Sequence, residues 1–355
     1  MKIAIDILTP KQCMLFSRLS AKLEGRGHKV LRTTRKYREV NQLLALKGMD
    51  AKVVGEHGGG NLAGKLKASS QRISELTDVI DEFKPDVAVS FSSPEMARTA
   101  FGLGVPHVCV NDSPHAEAVA RLTVPLSERL LTPKIIPKKA WTKYGIDAKK
   151  IVQYNALDPW VWLKDFKPDR RIIGQLGLDQ SRPIITFRTE EAFASYLLGK
   201  DQAEPAIMTL IKQILEKGSS VQVVVVPRYE DQKRPFVESF GDAIKVCESA
   251  VDGQSLLSYS SAFVGGGGTM TAESALLGVP TFSCYPTKPF LVLKYLVKNK
   301  LVSLEKNPYT LLKKLNYALN NLDATRKAQA ERVQKMVRDF EDPIDVIVGE
   351  AEKIG

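Results

Sequence analysis

Short apolar runs alternate with longer stretches of helical periodicity along most of the chain, and this alternation limits the fold more than any single motif does. A run of four to eight apolar residues suits a strand covered on both faces. The first is Ile3–Ile7, and a helical stretch follows from Lys11 to Glu24, with Met14, Leu15, Leu19 and Leu23 at helical spacing. Gly25-Arg26-Gly27 stops that pattern. Further strands are expected at His28–Thr33, Ala51–Gly55, Val87–Phe91 and Val105–Val110, with helices at Tyr37–Lys47 and in the long segment ending near Phe83. Pro94 stands where a first-turn proline opens another helix. Alternation of this kind predicts an α/β fold with a parallel sheet covered on both faces. Right-handed crossovers then bring the strand C-termini to one edge, where ligands bind.

The pattern fades between Pro133 and Arg171, and Tyr154–Arg171 reads as a crossing between domains. It then restarts. Pro183–Arg188, Val221–Val226, Lys245–Cys247, Ala262–Val264 and Thr281–Cys284 are expected as strands, and Glu204–Lys217 as a helix. Helical patterns close the chain at Pro308–Leu319, Ala324–Arg338 and Asp345–Lys353. With 355 residues the chain exceeds one ordinary domain, and the restart predicts two.

Several classes fall away. No segment approaches the ~20 apolar residues of a membrane span. Asp6 would lie inside the apolar core of any signal peptide, so Met1–Ile7 reads as a first buried strand. Cys13, Cys109, Cys247 and Cys284 lie far apart without a CxxC pair. That spacing predicts buried thiols in a reducing cytoplasm and no zinc or disulfide framework. The formal charge is +11, which suits nucleic acid, anionic lipid or a phosphorylated small molecule.

The most informative stretch is Phe263-Val264-Gly265-Gly266-Gly267-Gly268-Thr269-Met270-Thr271-Ala272-Glu273. Strand, glycine turn and helix together aim backbone N–H groups at a positive helix end, where a diphosphate fits. Thr269 or Thr271 can cap the helix or donate to a phosphate. Glu273 either complements the helix dipole or accepts ribose hydroxyls. No Gly-Lys-Ser/Thr follows, so this is not a Walker loop. Arg188 and Arg228 each follow a strand, and a guanidinium grips phosphate through two bonds. Thr189, Glu190, Glu191 and Tyr196 come next and are expected along the same cleft.

In the first half, Asn111-Asp112-Ser113-Pro114-His115-Ala116-Glu117 follows a strand. His115 beside Asp112 offers a general base for an acceptor hydroxyl, and either Asp112 or Ser113 alternatively caps a helix. Arg121 is a further basic candidate, and His57-Gly58-Gly59-Gly60-Asn61 suits a lid. No Asp-x-Asp pair occurs, so helix end and arginines are expected to hold the diphosphate with no metal.

The glycine turn, Thr269, Glu273 and the following Ala275-Leu276-Leu277-Gly278-Val279-Pro280 resemble the nucleotide-diphosphate site of GT-B glycosyltransferases and non-hydrolysing nucleotide-sugar epimerases. Met1–Ile7, Asn111–Pro133, Val226–Glu230 and Val251-Asp252-Gly253 more closely resemble a largely archaeal family called domain of unknown function 354. The resemblance implies two Rossmann-like domains facing across a cleft. The acceptor-side domain would span residues 1–165, the nucleotide-binding domain 166–335, and a final helix, 336–355, would return to the first domain. It implies no tightly bound cofactor, and a nucleotide-diphosphate sugar as donor substrate held by Arg188, Arg228, Gly265–Gly268, Thr269 and Glu273. The acceptor-side loop would include Asp6, Thr9 and Gln12, with Glu117 and Arg121 nearby. Related chains often carry a histidine near Gln12, so its loss shifts the expected catalysis to His115 and Asp112. The implied reaction is sugar transfer to a lipid-phosphate or glycan acceptor. Epimerisation of the nucleotide sugar, or non-catalytic binding of a phosphorylated ligand or nucleic acid, stands as the alternative, with nucleic acid the less expected partner.

Two basic stretches complete the picture. Lys134, Lys138, Lys139, Lys143, Lys149 and Lys150 surround Trp141 and Tyr144, and Lys288–Lys298 reads as a basic amphipathic helix. Such faces rest on the inner face of an anionic membrane, stack on nucleic acid, or simply cover a core.

Overall fold

The computed structural model describes residues 1–189, 206–216, 218, 220–249 and 251–355. Glu190, Glu191 and Tyr196 lie outside the described residues. Two units divide the chain, one built from Met1–Trp162 and Phe340–Gly355, the other from Leu163–Asp339.

The first unit grows around β1 (Lys2–Ile7), whose Ile3, Ala4, Ile5 and Ile7 are fully buried. A nearly continuous apolar run, broken here only by Asp6, suits a central parallel strand, because helices cover both faces. Beside it lie β2 (Lys29–Lys36), β3 (Lys52–Glu56), β4 (Val87–Ser90), β5 (His107–Val110), β6 (Arg129–Pro133) and β7 (Ile151–Tyr154). Their order is β3-β2-β1-β4-β5-β6-β7, and every pair is parallel. The strand order runs outward in opposite senses from β1 and β4, which makes their C-terminal ends a topological switch point. The helix Pro10–Gly25 leaves β1 with proline in its first turn, and the helix Pro94–Gly102 leaves β4 with the Ser93 hydroxyl accepting from Met96 N–H at 3.1 Å.

The final helix, Pro343–Ile354, belongs to this unit. Asp342 caps it, and Ile344, Ile347, Val348 and Ala351 face inward. Arg26 donates two bonds to Glu352, at 2.8 and 2.9 Å, and so fastens the chain end to the helix Pro10–Gly25.

β6 ends where the apolar pattern fades, and β7 lies inside the faded stretch. Trp141 and Tyr144, set among lysines, are buried: the Trp141 indole N–H donates to Thr132 Oγ1 at 3.2 Å and the Tyr144 hydroxyl to Pro114 O at 2.6 Å. Neither ring is a stacking surface for a base. The loop expected as a lid is likewise docked, since His57 stacks on Tyr37 at 4.7 Å and Asn61 caps the helix Leu62–Phe83.

His107 of β5 is buried between two hydroxyls, Ser90 Oγ and Ser127 Oγ, each 2.9 Å from a ring nitrogen. Burial pushes its pKa down from 6.5 to about 4. The folded state therefore holds the neutral ring. The stability this contributes is complete above about pH 6.5 and is lost as pH falls toward about 4, roughly 3 kcal/mol in all. Denaturant midpoints are expected to drop across that window and His107→Gln to flatten the drop; an unchanged slope in the variant would contradict this.

The second unit carries β8 (Ile184–Arg188), β9 (Gln222–Val226), β10 (Lys245–Val246), β11 (Ala262–Gly265), β12 (Thr281–Ser283) and β13 (Ser303–Leu304). They form a second parallel sheet in the order β10-β9-β8-β11-β12-β13. Ile185, Phe187, Val223, Val225 and Val264 join Ile207, Ile211, Leu311 and Leu315 from the flanking helices in one core. The helix Leu291–Lys298 turns Val292, Leu293 and Leu296 inward. Its apolar face is spent on protein. No helix among the described residues is long and apolar enough to cross a membrane. All four cysteines are buried and unbridged.

Candidate functional site

In the second unit β11 runs into the helix Thr269–Leu276 through the glycine turn. Gly268 has φ 92° and ψ −167°, a region essentially reserved for glycine, and Gly267 also has φ 92°. The turn leaves no room for side chains. A Cβ at Gly265 would lie 2.8 Å from the Phe263 ring, and one at Gly267 would lie 2.9 Å from the Tyr285 ring. No side chain caps the helix, so neither Thr269 nor Thr271 acts as the expected cap. The Thr271 hydroxyl is buried and has no hydrogen-bond partner, and it faces the Gly265 backbone. First-turn N–H groups with no cap are the donors an anion takes.

Arg228 lies across this turn. Its Nε donates to Thr189 O at 3.3 Å and its Nη2 to Gly267 O at 3.5 Å, and a Cβ on Gly268 would sit 2.7 Å from Nη2. Gln232 Oε1 accepts from both the Thr189 hydroxyl (2.6 Å) and Arg228 N–H (3.0 Å), which fixes the loops after β8 and β9 together. Arg188 works differently. Its Nη1 donates to the carbonyls of Val226 and Pro227, so it braces the end of β9. Glu273 lies in the second turn of its helix and is buried, and Gln254 Nε2 donates to its Oε1 at 2.7 Å.

In the first unit the C-terminal edge of the sheet gathers a charged group that sequence spacing brings only partly into view. Lys11, just after β1, donates from Nζ to Asp112 Oδ2 at 2.5 Å and to Asp158 Oδ2 at 2.6 Å. The Tyr154 hydroxyl donates to Asp158 Oδ1 at 2.5 Å, and Lys11 Nζ stands 4.2 Å from the Phe91 ring centroid. Burial works against the Lys11 charge, but the two carboxylates outweigh it and hold its pKa above the ordinary value. His115 is half-buried, and that burial lowers its pKa, so the ring is kept neutral and able to accept a proton. Asp112 caps no helix; Asn111 Oδ1 takes the Ser113 N–H and the next helix, Glu117–Thr123, opens at Ala116.

Among the acceptor-side expectations, those for Asp6 and Gln12 are corrected. Asp6 is sealed in an ion pair with Arg72 and lines no surface. Gln12 is buried and spends both ends of its amide on backbone, taking Leu8 N–H at 2.6 Å and donating to Phe91 O at 3.0 Å. It fastens the two loops of the switch point. Thr9 is the N-cap of the helix Pro10–Gly25 without a side-chain capping bond. Glu117 and Arg121 pair with one another on an exposed helix face. Among the described residues no group of three His, Cys, Asp or Glu side chains is placed to hold a metal.

Solved structures of like fold include UDP-GlcNAc 2-epimerases and glycosyltransferases. UDP-GlcNAc 2-epimerase from Neisseria meningitidis, bound to UDP-GlcNAc, is 16% identical with a TM-score of 0.76, covering 99% of this chain and 100% of that one. The Methanocaldococcus jannaschii UDP-GlcNAc 2-epimerase, in complex with UDP-GlcNAc and UDP, is 17% identical with a TM-score of 0.72, covering 90% and 93%. The Spinosyn Forosaminyltransferase SpnP is 13% identical with a TM-score of 0.64, covering 100% and 99%. These likenesses show the fold, which is that of GT-B glycosyltransferases and UDP-GlcNAc 2-epimerases. In sequence, "Uncharacterized protein MJ0665" of M. jannaschii is 31% identical over 349 residues, 97% of this chain and 95% of that protein. With residues 1–353 also matching its family description, the chain belongs to the family "Protein of unknown function (DUF354)".

Proposed function

We propose that this protein binds a nucleotide-diphosphate sugar and transfers the sugar to an acceptor without a metal ion. One observation carries the reading: the turn Gly265–Gly268 opens a helix whose first N–H groups have no side-chain cap, and the Arg228 guanidinium lies across it. Helix end and guanidinium together supply the positive charge that a leaving diphosphate needs. The ribose role of Glu273 rests on the family resemblance, to which the structure adds Gln254 as its partner. Asp112, with the neutral His115 three residues on, is the assigned base for the acceptor hydroxyl.

A second reading, epimerisation of the bound sugar, is favoured by the two carboxylates around Lys11. Burial raises the Asp158 pKa and the Asp112 charge adds to it, whereas Lys11 overcomes burial and draws the Asp112 pKa down. Epimerisation takes a proton from one face of the sugar and returns one to the other, and an ionised carboxylate backed by a proton-holding one suits the first of these steps.

The test is thermal unfolding with UDP, GDP, ADP and CMP and their sugars. Ligand at a hundredfold its dissociation constant adds about 2.7 kcal/mol, a rise of roughly 5–10 °C for a unit of this size. At least one diphosphate is expected to give that rise, in EDTA as well as without it, and Arg228→Ala to remove it. No rise with any nucleotide would overturn the proposal. Incubation of the matching sugar nucleotide alone then separates the two readings, since only an epimerase forms a new isomer without acceptor.

A further inference from the structure

Asp158 lies just past the end of β7 and its side chain has no exposure, while the Asp112 side chain keeps 19% and Lys11 14%. One ammonium thus stands between two carboxylates, one half-buried and one sealed. A structural ion pair would need only one acid, and the second buried charge costs several kcal/mol unless it is neutralised. The Tyr154 hydroxyl occupies Asp158 Oδ1 and leaves Oδ2 as the oxygen turned to Lys11. His115 and Tyr154 are the other titratable groups coupled to this pair.

We propose that Lys11, Asp158 and Tyr154 form a proton relay behind Asp112, through which a proton taken up at the half-buried Asp112 carboxylate is stored on the sealed one. The inference rests on the reading of Asp112 as a base. An acceptor or sugar proton bonds to Asp112 as its old bond breaks. Lys11 Nζ gives one of its own protons to Asp158 Oδ2 and takes the Asp112 proton in its place. Lys11 stays an ammonium, negative charge moves from Asp158 to Asp112, and Asp112 is again a base. The same steps in reverse return the proton. Burial and the neighbouring Asp112 charge make Asp158 the stronger proton holder of the two, so storage runs downhill. Lys11, Asp158 and Tyr154 act through Asp112 and are positioning residues.

The experiment is a carboxyl NMR titration of the full chain labelled at aspartate, with Asp112→Asn and Asp158→Asn assigning the two signals. As pH falls, the first proton of the group is expected on Asp158. Asp112→Asn is expected to lower the Asp158 midpoint, and Lys11→Met to raise the midpoints of both. An Asp158 that stays ionised while Asp112 protonates would overturn the relay and leave a structural ion pair. Should Lys11→Met not fold, the order of protonation in the wild type and the Asp112→Asn shift decide the matter. The nucleotide thermal shift is read separately: its failure removes the nucleotide-sugar assignment, while the NMR result stands or falls alone.

Discussion

Arg72→Met is expected to cost about 3–5 kcal/mol, because it strands a buried carboxylate. Asp6 of β1 is fully buried and Arg72 is 1% exposed. Arg72 donates to Asp6 at 3.0 and 2.6 Å and to Val54 O of β3 at 2.8 Å, and Thr33 of β2 donates to Asp6 at 2.7 Å. A single guanidinium from the helix Leu62–Phe83 therefore closes three strands. Gly55 makes way for it: φ is +70°, and a Cβ would lie 2.8 Å from Arg72 Cγ. The melting temperature should fall by about 10 °C. The pH dependence gives a second signature. Burial alone would raise the Asp6 pKa, but the charge and hydrogen bonds of Arg72 hold it below its ordinary 3.8. In the wild type that stabilisation is present above the unfolded value and is lost as pH falls through the folded one. Without Arg72 the burial effect wins, so the variant is expected to recover part of its loss on mild acidification. A urea midpoint shift worth under 1 kcal/mol, with no such recovery, would contradict the account.

Much of this architecture can be read in advance from residues buried on both faces. The valines of β9 announce a central strand because nothing polar interrupts them, and Ile3–Ile7 does so although Asp6 lies within it. Arg129–Pro133 does not, since only Leu130 and Leu131 are apolar before a proline, and Ser303–Leu304 is too short to show a period. The glycine turn is legible because four adjacent glycines stand between an apolar run and a helical pattern. The charged group of the first unit is half-legible. Asp112 follows a visible strand, and Lys11 obeys the same edge rule, yet nothing local links them across 101 residues. Asp158 lies 147 residues from Lys11 and is found only once β7 is recognised. Asp6 and Gln12 mislead for a physical reason: polar residues at a strand end serve equally as struts, and partners 66 and 79 residues away decide which.

Gly268→Ala is expected to abolish tight nucleotide binding. Alanine at φ 92°, ψ −167° costs about 1–3 kcal/mol of strain. Its Cβ would meet Arg228 Nη2 at 2.7 Å, and since that nitrogen ends a flexible side chain, the guanidinium is what yields. The turn then loses both its backbone geometry and its cation. A charge-assisted hydrogen bond is worth about 1.5–3 kcal/mol, so affinity should drop at least roughly tenfold, and further once the turn itself distorts. Arg228→Ala keeps the backbone and removes the cation alone, so it should lose less than Gly268→Ala. The decisive measurement is calorimetric titration of the best-stabilising nucleoside diphosphate into wild type, Arg228→Ala and Gly268→Ala. The account predicts one site in the wild type, weaker binding in Arg228→Ala and none detectable in Gly268→Ala; equal affinity in all three, or no binding heat in the wild type, would contradict it.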